Sequence, residues 1–303
     1  MEASKRCVLL AYAVWMPLHF IGVASIGHVA IWGAAAYVAI LGTREWEIGL
    51  LARFAVAMVV GVVLAAVVAS VTMRVRGLVS AAAVTLGLAG LIVNVLGNLE
   101  VTGGTTGLTF VTPLELFGVE YTPQDTDIMV YSIGSVLIGV VVAALWFLQR
   151  SRVGRRMIAV RDAETLATSL GVGTHLVKVV GFAVSGVVVG ASAVLYVHYN
   201  RYVDPSLFHD TVAINVLLAV IVGGSTYLLG PLVGAVLLAF LPELLPFDGV
   251  MNRAVYGMIV VLIATYANDG LTGWVRQAAR RVRRRRPPRA RPPVDRADEG
   301  VPA

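Results

Sequence analysis

Apolar residues run along this chain in long blocks. They occupy residues 7–24, 26–41, 49–72, 78–98, 128–148, 177–199, 211–223, 228–246 and 253–268. From Val56 to Val71 the chain is apolar almost without interruption, with none of the alternation a barrel strand needs. A spanning helix takes about 20 apolar residues, and a helix pairs each backbone group within its own segment. The pattern predicts an all-α, polytopic transmembrane bundle of about nine spans, eight to ten within the error of such boundaries. Two stretches are short or broken. Pro17 and Gly22 interrupt the first block, while Gly223-Gly224 closes the seventh and Gly230-Pro231 opens the eighth. Such interruptions mark either discontinuous helices beside a transport pathway or close packing through small residues. The sequence leaves both open.

The polar links between blocks predict orientation, because cytoplasmic loops of membrane proteins are rich in Lys and Arg. The link 73–77 carries Arg74 and Arg76, and the link 149–176 carries Arg150, Arg152, Arg155, Arg156 and Arg161. The segment 276–303 carries ten arginines. These face the cytoplasm in this reading, as does the C-terminus. The alternate links are acidic. The external segment 99–127 holds Glu100, Glu115, Glu120, Asp125 and Asp127 with no Lys or Arg, and 42–48 and 200–210 also lean acidic. Lys5 and Arg6 break the scheme, since nine spans and a cytoplasmic C-terminus place them outside. Either 7–41 contains a re-entrant piece or the first helix violates the charge rule. No A-x-A-like site closes the first block, so it reads as a retained span.

Composition agrees with a plasma-membrane location. Hydrophobic residues make up 58% of the 303 and charged residues 14%, against about 25% charged in soluble domains. The net charge of +6 comes from 276–303, which holds 10 of 24 basic and 3 of 18 acidic residues. The body, 1–275, is near neutral, so no nucleic-acid-binding face is expected. The segment 276–303 is too polar to order itself and is expected to be a disordered basic cytoplasmic tail. Such a tail either attracts anionic lipid head groups or simply retains the C-terminus inside.

Candidate chemistry is sparse. One cysteine, Cys7, allows no internal disulfide, and the five histidines show no metal-ligand spacing. The lysines, Lys5 and Lys178, do not follow a glycine-rich phosphate loop. No catalytic residue or metal site is expected. No pair of carboxylates lies within a span, which disfavours a proton-driven carrier. Glu243, between Pro242 and Pro246, reads as an interfacial or vestibule residue. The link 149–176 is more informative: residues Asp162 to Leu170 predict a short helix capped by Asp162 and ended by Gly171. A rigid knob of this kind suits a membrane protein that takes its energy from an external motor.

In order and spacing, several segments resemble one family. They are GVASIGHVAIWGAAAYVAIL from Gly22, MRVRGLVSAAAVTLGLAGLIVNVLGNLEVTGGTTGL from Met73, and SRVGRRMIAVRDAETLATSLGV from Ser151. Then follow YVDPSLF, VIVGGSTYLLGPLVGAVLLAFLPELL and the closing GLTG. From Gly22 to Gly273 the chain resembles the LivM-type permease subunits of branched-chain amino-acid ABC transporters. Departures are Thr226 and Tyr227 where a third glycine is usual, and Asn268 in place of proline.

The resemblance implies a permease that hydrolyses no ATP itself. Its implied partners are a homologous second permease chain, two ABC ATPase subunits that use ATP and Mg, an extracytoplasmic solute-binding protein, and membrane lipid. Arg161, Asp162, Glu164, Ala167 and Gly171 fall where these permeases place the helix that docks on the ATPase. Candidate pathway residues are His19, Ser25, His28, Thr85, Asn94 and Asn98, with Thr85 and Asn94 expected to face one region. Each could instead be an interhelical hydrogen bond. The Thr102-Gly103-Gly104 turn is expected to be structural. The solute is a branched-chain or related amino acid, or urea, a short amide or another small polar molecule. The alternative class, a stand-alone channel or secondary carrier, would need gating or ion-coupling residues of its own.

Overall fold

The computed structural model describes residues 2–45, 48–75, 77–109, 115–116, 119–120, 123–208, 210–245, 249–266 and 270–274. The segment 276–303, expected to be disordered, and Asn268 lie outside them. Among the described residues, nine apolar helices match the nine blocks: α1 (Glu2–Ile21), α2 (His28–Arg44), α3 (Leu50–Thr72), α4 (Leu78–Asn98), α5 (Pro123–Arg150), α8 (Thr174–Asn200), α9 (Asp210–Gly223), α10 (Gly230–Leu244) and α11 (Gly249–Tyr266). Two polar helices, α6 (Arg152–Asp162) and α7 (Glu164–Ser169), fill the link between α5 and α8. Among the described residues, four helices are long and apolar enough to cross a membrane, lying in α3, α4, α5 and α8. The 23 residues of α3 extend about 35 Å at 1.5 Å per residue, enough for a hydrocarbon core of about 30 Å.

The bundle is built inside out relative to a soluble protein. Along α3 the buried positions are Leu50, Arg53, Ala57, Gly61, Ala65, Val68, Ala69 and Thr72, small residues for the most part, while Val59, Val63, Val67 and Val71 are exposed. Lipid is as apolar as valine, so packing of small residues rather than expulsion of large ones selects the inner face. The partner surface is on α8. A Cβ on Gly61 would collide with the Gly186 carbonyl, a Cβ on Gly186 with the Gly61 carbonyl, and one on Gly190 with the Ala57 carbonyl. Backbone therefore touches backbone. Arg53 is buried on this seam, donating from Nε to the Ile48 carbonyl at 2.7 Å and from Nη1 to His198 Nε2 at 3.1 Å.

Helix α8 is the mast. It packs on α3, α1 and α2, and α1 in turn packs on the α9–α10 hairpin. From Val8 to Ile21 nearly every side chain of α1 is buried. Pro17, expected to interrupt the first block, lies inside α1 instead, and the helix ends only at Gly22, φ +76°. The close is of the glycine-terminated kind: Gly22 N–H bonds the Leu18 carbonyl and Val23 N–H the Pro17 carbonyl, both at 3.2 Å.

Contacts sort the helix ends into two sets. At one end lie Ile21, Thr72, Gln149, α6, α7 and Ser225. At the other, Phe208 packs on Gly33 and Tyr37, Pro205 sits by Gly97, and β1 (Leu108–Thr109) pairs with β4 (Tyr202–Val203). A second two-residue pair, β2 (Glu115–Leu116) with β3 (Val119–Glu120), lies in the same acidic link as β1. The arginine-bearing links thus share one end and the acidic links the other. Helix α1 points its C-terminus at the basic end, so Lys5 and Arg6 belong to the acidic end. The Thr102 turn closes α4, with Thr102 Oγ1 set against the Leu96 and Leu99 carbonyls.

The link 149–176 differs from the single helix predicted for it. Ser151 caps α6 by accepting from Gly154 N–H at 3.0 Å, and α6 runs to Asp162. Asp162 therefore ends α6 and does not cap α7, whose N-cap is Ala163, without a side-chain hydrogen bond. The aspartate pairs instead with Arg161, at 2.8 Å. Gly171, φ +78°, ends α7 as expected, with Val172 N–H returning to the Ala167 carbonyl at 3.0 Å.

Candidate functional site: a buried turn facing a polar cleft

The connection 22–27 between α1 and α2 turns inside the bundle. Ile21 meets Gly181 and His28 meets Ser185, positions seven and eleven residues into α8. At 1.5 Å per residue these lie about 10 and 16 Å from its start. Irregular backbone at such depth is tolerated only when protein groups satisfy it. Here they do. Ile26 N–H donates to Thr85 Oγ1 at 3.2 Å, and Thr85 donates to the Ala82 carbonyl at 2.9 Å. Ser185 gives its proton to the Phe182 carbonyl, 2.7 Å away, so it accepts from His28 Nε2 at 2.7 Å. In the neutral ring Nδ1 is then an acceptor, and Ser25 Oγ donates to it at 2.7 Å. Ser25, His28, Thr85 and Ser185 are fully buried. Three of the predicted pathway residues thus meet in one sealed cluster that pins the turn.

His19 belongs to a separate junction. Its Nδ1 donates to the Ser225 carbonyl at 3.0 Å, and its Nε2 accepts from Gln149 at 3.1 Å. Its ring stacks on Trp15, whose Nε1 donates to the same Ser225 carbonyl at 2.8 Å. The Gly223-Gly224-Ser225 turn is what offers that carbonyl. Gly224 takes φ +108°, and a Cβ on Gly270 would collide with its Cα. Thr272 Oγ1 donates to the Gly223 carbonyl at 2.6 Å. The closing GLTG segment therefore sits on the GGS turn.

Asn94 and Asn98 lie elsewhere. Both are exposed on α4, each amide donating at 2.8 Å to the carbonyl four residues before it. Thr85 and Asn94 do not face one region, contrary to expectation. Nine residues at 3.6 per turn make two and a half turns, which puts them on opposite sides of the helix.

Between the buried turn and α7 opens a cleft of about 760 Å³. Its lining includes Gly22 and Val23 of the turn, Thr72 of α3, Arg161 of α6, Glu164 of α7 and Lys178 of α8. Arg161 crosses this space. Its Nη1 donates to the His19 carbonyl at 2.5 Å, in the last turn of α1, where a cation complements the helix dipole. A Cβ on Gly22 would press on the Arg161 side chain. Lys178 Nζ bonds Glu164 Oε1 at 2.5 Å, tying α7 to α8. Of the other predicted docking residues, Asp162 and Gly171 are exposed and Ala167 is buried. Ala167 is 7% exposed and packs α7 onto the bundle, whereas Leu166 and Leu170 are 60% and 75% exposed. Ser185, Lys178, Leu166 and Leu170 were not among the predicted site residues. The leucines' four-residue spacing on an otherwise polar helix is a signal the sequence did carry.

A family model described as the branched-chain amino acid transport system permease component matches residues 6–264. The chain is 26% identical over 211 residues to the high-affinity branched-chain amino acid transport system permease protein LivM of Escherichia coli, covering 63% of this chain and 50% of that one. LivM of Salmonella typhimurium matches at the same identity and coverage. The autoinducer 2 import system permease protein LsrC of Photorhabdus luminescens is 23% identical over 145 residues, 47% of this chain and 41% of that one. The chain spans about half the length of the LivM relatives it matches. No solved structure matches it significantly. The family match runs from the first helix through nearly all of α11 and takes in the buried turn, the cleft and α7; this chain belongs to the branched-chain amino acid transport permease family.

Proposed function

We propose that this chain is the membrane-spanning subunit of an ATP-driven importer for a small polar solute, a branched-chain or related amino acid first, with urea and short amides as alternatives. The basic end faces the cytoplasm and the acidic end faces a solute-binding protein. Two such permeases, alike or homologous, assemble with two ATPase subunits that use ATP and Mg. The solute moves between the permeases as they rock between two packings, each favoured by a different bound state. Asn94 and Asn98 support a pathway or partner along α4, because amides facing lipid are costly. Asn94→Leu should lower transport without lowering the melting temperature, and unchanged transport would remove Asn94 from the path.

The observation that carries the reading is the build of α7. It exposes two leucines, is fixed to α8 by the Glu164–Lys178 pair, and is braced by Arg161 against the end of α1. A lever needs an engaging tip and a stiff connection to what it moves, and α7 has both. The test is Leu166→Asp with Leu170→Asp. Both sites are exposed, so the protein should stay folded and monodisperse in detergent. Co-purification with the ATPase subunits and coupled transport should both be lost. If transport survives, α7 is not the docking element.

A further inference from the structure

The C-terminal end of α5 carries features the transport reading does not use. A cleft of about 660 Å³ opens between α5 and the α9–α10 turn. Trp146, Tyr227, Leu228, Leu229 and Val233 give it apolar walls, and Arg150 stands among its lining residues. The Arg150 guanidinium lies 3.8 Å from the Trp146 ring centroid, a cation–π contact that holds the charge near the apolar wall. Phe147 and Leu229 are strongly exposed nearby. An apolar groove with a cation among its walls, at the end of a spanning helix, matches the two halves of a phospholipid.

The surrounding charge selects the headgroup. Five arginines fall between Arg150 and Arg161, and no Asp or Glu occurs between Asp127 and Asp162. Helix α6 buries Gly154, Met157 and Val160 and exposes Arg152, Arg155 and Arg156. Two of the five are committed within the protein: Arg155 donates to the Arg150 carbonyl, and Arg161 to that of His19. Arg150, Arg152 and Arg156 have exposed side chains and form no ion pair with an acidic group among the described residues. This surface differs from α7, whose one charge, Glu164, is paired with Lys178 of α8 and beside which Leu166 and Leu170 protrude. A purely cationic face beside exposed aromatics fits a bilayer surface; the mixed face of α7 fits a protein.

We infer that the cleft between α5 and the α9–α10 turn binds an anionic phospholipid, its phosphate on Arg150 and the adjoining α6 arginines, its first acyl carbons against Trp146, Leu228 and Val233. This site is independent of whether α7 engages an ATPase.

The experiment uses the full chain, purified in detergent, stripped of lipid, and titrated with short-chain phosphatidylglycerol or phosphatidylcholine while binding is followed by native mass spectrometry. Phosphatidylglycerol should bind, raise the melting temperature, and be preferred over phosphatidylcholine. Each neutralised arginine should weaken binding about fivefold, so Arg150→Gln and the triple variant with Arg152→Gln and Arg156→Gln form a graded series. Arg150→Lys should retain most of the preference for the anionic lipid. Val233→Trp, which fills the groove, should reduce binding while leaving every charge in place. Equal binding of the two lipids, or no effect of the triple variant, would overturn the proposal. Competition by inorganic phosphate as effective as that of the lipid would reduce the site to an anion patch, overturning the groove assignment. Loss of ATPase assembly in the triple variant with lipid binding intact would assign the surface to protein contact and overturn it equally.

Discussion

The Arg161 guanidinium donates to the main-chain carbonyl of His19, joining the last turn of α6 to the last turn of α1. Around that bond meet α5, the α9–α10 turn and α7. His19 contacts α5 through Gln149 and the α9–α10 turn through Ser225, while Arg161 leads through Asp162 and Ala163 into α7. A chain of hydrogen-bonded groups, not a loose loop, thus joins α7 to the last turn of α1.

Arg161→Ala should leave the bundle assembled but cut coupled transport at least about tenfold, since a hydrogen bond from a charged group is worth about 1.5–3 kcal/mol. ATP hydrolysis by the assembled complex should continue and lose its response to solute. Arg161→Lys, which keeps the charge but not the reach or the planar fork, should recover only part of the coupling. Measured ATPase and uptake in proteoliposomes would decide this. Parallel loss of assembly and hydrolysis would show that the residue is structural only.

Ser185→Ala should lower stability by about 1–3 kcal/mol, because the His28 Nε2–H is left buried without an acceptor. Removing every partner together should be milder. Ser25→Ala, His28→Phe and Ser185→Ala combined should melt closer to the parent than Ser185→Ala alone. Thermal unfolding in detergent checks the order. The reverse order would mean that the ring's shape, not its hydrogen bonds, fixes the turn.

Gly61→Val or Gly186→Val should prevent the α3–α8 seam from closing, at a cost of about 1–3 kcal/mol or more for overpacking. Gly87→Ala is the matched control, since nothing lies within 4 Å of a Cβ placed there. It should leave expression and melting unchanged. Size-exclusion profiles of the three variants separate the cases, and a well-behaved Gly61→Val would contradict the close backbone approach.

Cys7 is the single cysteine, which permits a clean orientation test. In a Cys7→Ser background, Leu166→Cys should react with a membrane-impermeant maleimide in inside-out vesicles and stay unreacted in right-side-out cells. Labelling from the external side would reverse the proposed orientation and with it the docking role of α7.

Hydropathy along the chain was enough to foresee the nine apolar helices among the described residues, because a run of apolar residues is a local property; four of them have the length a span needs. The alternation of arginine-rich and acidic links likewise foretold which links share an end. Neither signal says which face of a helix meets which neighbour. Thr85 and Asn94 read as companions in sequence, yet half a turn separates a sealed hydrogen bond from an exposed amide. The GGS turn and the GLTG segment read as two isolated motifs, but they are one contact. In sequence Lys178 is notable only for following no phosphate loop, and in the fold it fastens α7. Apolar runs and link charge are sums over neighbouring residues, so the amino-acid order alone carried them; the pinned turn, the cleft and the Arg161 brace depend on helix rotation and on partners more than a hundred residues apart, which only the packed bundle fixes.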